Sequence, residues 1–142
     1  MTLTLDHART MIQAALAKGT ELNLKPLTVA VLDAGGALVA LERMDGASPM
    51  RPEIAVGKAN GAVQMGLGSR ALQTRAESQP FFIQAMNALA KGSLVPVAGG
   101  VLVRDEEGRV IGAVGITGDT SDNDEACAVA GIKAAGFTAD HG

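Results

Sequence analysis

At the start of the chain Leu5, Ala8, Ile12, Ala15, Leu16 and Gly19 fall on one helical stripe, with Thr4 or Asp6 placed to cap it. The spacing predicts a helix over 5–19. Pro26 stops any continuation, and two strand-length apolar runs follow, 27–32 and 37–42, joined by Asp33-Ala34-Gly35-Gly36. Such a pair reads as a β-hairpin. Beyond the polar break at 45–49, Pro52 suits a first helical turn, and 52–65 places Ile54, Lys58, Gly61, Ala62 and Met65 along one face. Shorter helices are predicted over 69–77 and 80–89. The runs 94–104 and 109–117 are strand-like, with Asp105-Glu106-Glu107-Gly108 as the polar turn between them, which predicts a second hairpin. A closing helix begins within 120–125, capped by Ser121 with Asp124 or by Asp122 with Glu125, and runs to about Ala135. Helix, hairpin, helices, hairpin, helix is the order of an α+β fold, an antiparallel sheet whose faces are covered by helices.

Composition narrows the function. The 142 residues suit one domain spanning 1–142. Trp and Tyr are absent and Phe occurs three times, so the core must come from aliphatic side chains and Met, and the 18 glycines read as turns and close contacts. A formal charge of -3 without a basic cluster or stacking aromatics argues against a nucleic-acid partner. No run is long and apolar enough for a membrane span, and the first residues lack the pattern of a secretory signal, which predicts a cytoplasmic protein.

Several motifs have bland explanations. Gly66-Leu67-Gly68-Ser69-Arg70-Ala71 has the letters of a dinucleotide fingerprint, but a helix rather than a strand precedes it. Asp119, Asp122, Asp124 and Glu125 match no calcium loop and suit a helix start, so no metal is assigned. Cys127 lies among small apolar residues and reads as buried. His7 reads as a solvent-facing residue of the first turn, and His141 lies beside the carboxyl end, where chains fray. The densest charges on otherwise apolar elements are Arg43, Asp45, Glu53 and Lys58. Lys58 shares its stripe with Ile54, Gly61 and Met65, so its ammonium is drawn toward the packed side, where burial depresses a lysine pKa. Arg43 can hold a carboxylate through paired hydrogen bonds, and together the two would form a cationic rim on an apolar hollow.

The segments "AVLDAGGALVALERMDGA", "EIAVGKA" and "PVAGGVLVRDEEGRVIGAVGITGDTSDNDEACAVAGIKA" resemble the GlcG/HbpS family, also called the haem-degrading or PduO carboxy-terminal-like domain. The resemblance spans roughly 4–137. It implies a sheet of about five strands with profilin-like layering, and a homo-oligomer, tetramer or octamer. It also implies a small-molecule ligand: haem, another tetrapyrrole or a hydrophobic carboxylate. Matching polar and glycine positions are Arg43, Asp45, Gly46, Glu53, Lys58, Gly99, Gly100, Gly118, Asp124 and Glu125, with Met44 inside the first segment. The chain departs from the family where an aromatic usually follows the helix lysine, since Ala59-Asn60 stands there.

Two readings follow. In the first the protein binds its ligand, with Arg43 or Lys58 pairing with carboxylates and Met65 or Met86 lining the wall. In the second it is a cofactor-free isomerase, hydratase or lyase acting on a small carbonyl or carboxylate compound. Arg43 would then orient the substrate, Lys58, Glu53 or Asp45 would move a proton, and the Gly99 and Gly100 amides would face an oxyanion.

Overall fold

The structure, a computed structural model, describes residues 1–142. Its elements follow the order α1 (Leu5–Glu21), β1 (Thr28–Asp33), β2 (Leu38–Arg43), α2 (Arg51–Met65), α3 (Ser69–Ser78), α4 (Pro80–Leu89), β3 (Gly100–Arg104), β4 (Val110–Thr117), α5 (Ser121–Ala134) and β5 (Thr138–Asp140). The five strands form one antiparallel sheet in the order β2-β1-β4-β3-β5. Each hairpin supplies two neighbours, and β1 and β4 join them in a register that sets Val31 opposite Val114 and Val29 opposite Ile116.

Alternation along those strands sends Val29, Val31, Val101, Val103, Val114 and Ile116 to one face, and Leu32, Leu102, Ala113 and the glycines Gly100 and Gly115 to the other. Helices α1 and α5 cover the first face, where Met11 and Ile12 of α1 and Ile132 of α5 meet Val29, Val31, Val101, Val103, Val114 and Ile116. On the opposite face α2 meets a thin layer of Leu32, Leu102 and Ala113 with its own Ala59 and Ala62. Here the helix backbone lies almost on the sheet. A Cβ on Gly115 would sit 2.0 Å from the Ala55 carbonyl oxygen, and one on Gly100 would sit 2.2 Å from that of Lys58. Only glycine permits such an approach.

Thr4 caps α1 through a capping box, its hydroxyl accepting from the His7 N–H while His7 Nδ1 accepts from the Thr4 N–H. His7 also meets Phe137 edge-on at 4.9 Å between ring centroids, so it is engaged rather than turned to solvent. The expected strand over 94–104 begins only at Gly100. Residues 94–99 instead form a strap along α2 and α3, with the Val95 N–H donating to the Gly57 carbonyl and the Ala98 N–H to Gln73 Oε1. The cap of α5 is Thr120, whose hydroxyl accepts from the Asn123 N–H, and not Ser121 or Asp122. At the carboxyl end the expected fraying is replaced by docking, for β5 pairs with β3 and the His141 carbonyl accepts from the Arg70 N–H at 3.3 Å.

Candidate functional site

Lys58 is only 2% exposed. Its position follows from α2, whose Ala55, Gly57, Ala59, Gly61 and Ala62 let the helix settle onto the sheet and carry the lysine stem inward. The ammonium donates to the Ile116 carbonyl at 2.9 Å and to Asp124 Oδ2 at 3.2 Å. Asp124, in the first turn of α5, is 1% exposed, and its Oδ1 accepts from the Asp119 N–H at 3.0 Å. Burial pushes the Lys58 pKa down and the Asp124 pKa up, and in each the partner's charge opposes the shift. The pair therefore ties α2 to α5 past the end of β4, and both charges are spent on the tie.

Gly99 and Gly100 make room for this lysine. A Cβ on Gly99 would lie 2.9 Å from Lys58 Nζ, and the Gly100 N–H donates to Ser69 Oγ at 2.7 Å. The Gly100 amide is thus committed to a hydroxyl and does not face an open oxyanion site. Cys127 is buried as expected, and burial first, then the Asp124 charge, pushes its thiol up to about 11.

Arg43 does not join Lys58. It stands exposed at the end of β2, opposite Thr28, and makes no ion pair, so the expected cationic rim of Arg43 and Lys58 is corrected. Arg51 lies nearest that role: it opens α2, donates from Nη1 to Thr117 Oγ1 at 2.8 Å, and adds its charge to the field that lowers the Lys58 pKa. Met44 is a structural fastening, its sulfur accepting from the Leu27 N–H at 3.3 Å while its own N–H donates to the Leu27 carbonyl. Asp45 and Glu53 are exposed. Glu125 accepts from Arg70 Nε at 2.8 Å, and Asp122 takes another N–H of the same guanidinium.

Three surface hollows remain. The first, about 400 Å³, is walled by Met65, Met86, Leu89 and Leu94, with Asn60, Gln64 and Lys91 as its polar members. The second, also about 400 Å³, lies against Leu38, Leu41 and Val56 and includes Glu53 and again Lys91. The third, about 200 Å³, is polar and brings Gly46 and Gly118 together with Lys25, Ser48 and Arg51. Met65 and Met86, named from the sequence as wall residues, thus share a hollow, while Lys58, Asp124, Gly99 and Gly100 line none of the three.

Sequence reasoning missed Lys91, the cation shared by the two larger hollows. It follows the cap of α4 with φ 57, a left-handed conformation uncommon for a residue with a Cβ. The dipeptide Lys91-Gly92 at a helix end was the available signal. Asn60, which stands where an aromatic is usual, donates from Nδ2 to the Ser93 carbonyl at 2.9 Å and so holds α2 to the loop that carries Lys91.

The open antiparallel sheet, with α1 and α5 on one face and α2 pressed through glycines onto the other, defines an α+β protein whose hollows gather on the α2 side. The chain belongs to the HbpS-like family: the model described as haem degrading protein HbpS-like matches residues 3–133. An uncharacterized 15.0 kDa protein in the dhaT-dhaS intergenic region of Citrobacter freundii is 33% identical over 123 residues, 87% of this chain and 84% of that protein. Among solved structures, a PduOC:heme complex matches with TM-score 0.85 and 26% identity, covering 96% of this chain and 97% of that one. Klebsiella pneumoniae protein ORFY matches with TM-score 0.85 and 29% identity over 95% and 91% of the two chains. HbpS matches with TM-score 0.80 and 28% identity over 94% and 89%.

Proposed function

We propose that the protein binds an amphiphilic small molecule carrying carboxylates, with haem as the foremost candidate, in the hollow walled by Met65, Met86 and Leu94. The observation that carries this reading is the joining of an apolar wall of about 400 Å³ to a cation, Lys91, held at its edge. Pockets for such ligands are mostly apolar with few fixed polar groups. Lys91 would pair with a carboxylate, and Asn60 and Gln64 would offer amides. The donor set fits haem: Met65 and Met86 present thioethers, a known type of axial ligand, whereas His7 and Cys127 line none of the hollows. Bound haem would supply redox chemistry at a potential set by its axial ligand and surroundings. The structure of a relative in complex with heme supports the same choice.

The enzyme reading draws no comparable support, since Lys58 and Asp124 satisfy each other in the interior and Glu53 and Asp45 lie apart from them on the surface. A homo-oligomer, tetramer or octamer, belongs to the proposal. Helix α4 buries only Ile83 and leaves Phe81 70% and Leu89 76% exposed, an apolar surface of the kind that subunits cover. Titration of the purified protein with haemin, followed by the Soret band, tests the ligand. Saturable sharpening in the wild type, weakened in Lys91→Glu, is expected, and an unsaturable, variant-independent change overturns the proposal.

A further inference from the structure

The polar hollow between the β1 entry, the 46–48 loop and the start of α2 has no part in the site proposed above. Arg51 is the anomaly there. Of the twelve Lys and Arg residues, six form ion pairs within 4.0 Å, namely Arg9, Lys18, Lys58, Arg70, Arg104 and Arg109. Five of the remaining six are exposed; Arg51 alone is partly buried and still lacks a carboxylate. A half-buried guanidinium without a counter-charge is costly unless something supplies one. Only one of its five N–H donors has a protein partner, Thr117 Oγ1.

The neighbours reinforce the imbalance. Lys25, also without an ion pair, lines the same hollow, and Ser48 adds a hydroxyl. No carboxylate lines the hollow, and Asp119, which holds the Lys25 backbone, has its oxygens occupied: Oδ1 accepts from the Lys25 N–H, and Oδ2 from the Thr120 N–H and from Asn123 Nδ2. Gly46 and Gly118 keep two walls free of side chains. At Gly118 a Cβ would meet the Pro26 carbonyl at 2.3 Å.

We infer that this hollow is a second binding site, for a small oxyanion, with Arg51 as its bidentate anchor and Lys25 as a second cation. A volume of about 200 Å³ admits a short organic acid or a phosphate and excludes a tetrapyrrole. Arginine's planar fork matches carboxylate and phosphate alike. Separate calorimetric titrations with malonate and with inorganic phosphate distinguish the two chemistries, and the tighter probe names the class. Saturable binding near one anion per chain is expected. It should weaken about tenfold or more in Arg51→Gln, by a smaller factor in Lys25→Gln, and stay unchanged in Lys133→Gln, whose side chain lies on α5. Should Arg51→Gln fail to fold, Lys25→Gln and Arg51→Lys, which keeps the charge but loses the fork, decide the question. Absence of saturable binding of either anion to the wild type overturns the inference, as does equal binding in the Arg51 and Lys25 variants. Neither result bears on haemin binding beside Lys91.

Discussion

The two faces of the sheet are built on opposite principles. Under α1 and α5 the contact is made by long branched side chains, and it is strong because it is filled. Under α2 it is made by Gly100, Gly115, Ala55 and Ala59, and it is close because it is bare. A filled face leaves no room for anything else. On the bare face α2 contributes to all three hollows, joined by residues 89–94 at the two larger ones and by 46–48 at the third. The single large polar side chain of that contact, Lys58, needs a partner from the far side, and Asp124 supplies it.

Breaking that link should have the largest effect. Asp124→Asn leaves a buried ammonium facing a neutral amide and is expected to cost about 3–5 kcal/mol, whereas Lys58→Met combined with Asp124→Asn recovers most of it, as urea denaturation of the full double-mutant cycle would show. Next comes the contrast between the faces. Ile132→Ala, which empties the filled face, should cost about 2–5 kcal/mol, and Gly115→Ala, which fills the bare one, about 1–3 kcal/mol; thermal unfolding of both variants checks the pair. A Gly115→Ala variant as stable as the wild type would remove the distinction.

Smaller effects sharpen the picture on the bare side. Lys91→Gly relieves a left-handed backbone and should stabilise by about 0.5–1 kcal/mol, yet it should weaken haemin binding, so stability and affinity move in opposite directions. The smallest effect expected is acidic. Hydrogen bonds from Asn123, then from the Lys25 and Thr120 N–H groups, hold Asp119 down at about 2 from its ordinary 3.8. Between those values the unfolded chain binds more protons than the native one. Stability is therefore fully present above about pH 4 and lost as pH falls toward 2. Asn123→Ala should raise the Asp119 pKa and flatten that acid limb, as NMR titration and acid unfolding would record.

Much of this architecture was readable from residue order. The short continuous apolar runs through Val29–Val31 and Val101–Val103 reported buried strands, and the stripe of Ala8, Ile12 and Ala15 reported the buried side of α1, because a strand covered on both faces is apolar throughout while a helix covered on one side carries its period. The strap 94–99 was misread as strand because Leu94, Val95 and Val97 are as apolar as strand residues, while the turn out of the sheet depends on Gly99 at φ 122. Strand β5 has three residues, too few to show any period. Of the site, the burial of Lys58 was legible from its stripe on α2. Its pairing with Asp124 was not, since 66 positions separate them and no local pattern encodes a long-range ion pair. Arg51 was not singled out although it flanks the same polar break as Arg43, since only the packing of α2 against Thr117 turns it inward.

The central claim is that the ligand sits on the bare face, between α2 and α4, and amide hydrogen exchange with and without haemin tests it most directly. The account predicts new protection within residues 60–65 and 86–94, with α1 and α5 unchanged. Protection concentrated in α1 and α5, around His7 and Cys127, would contradict it.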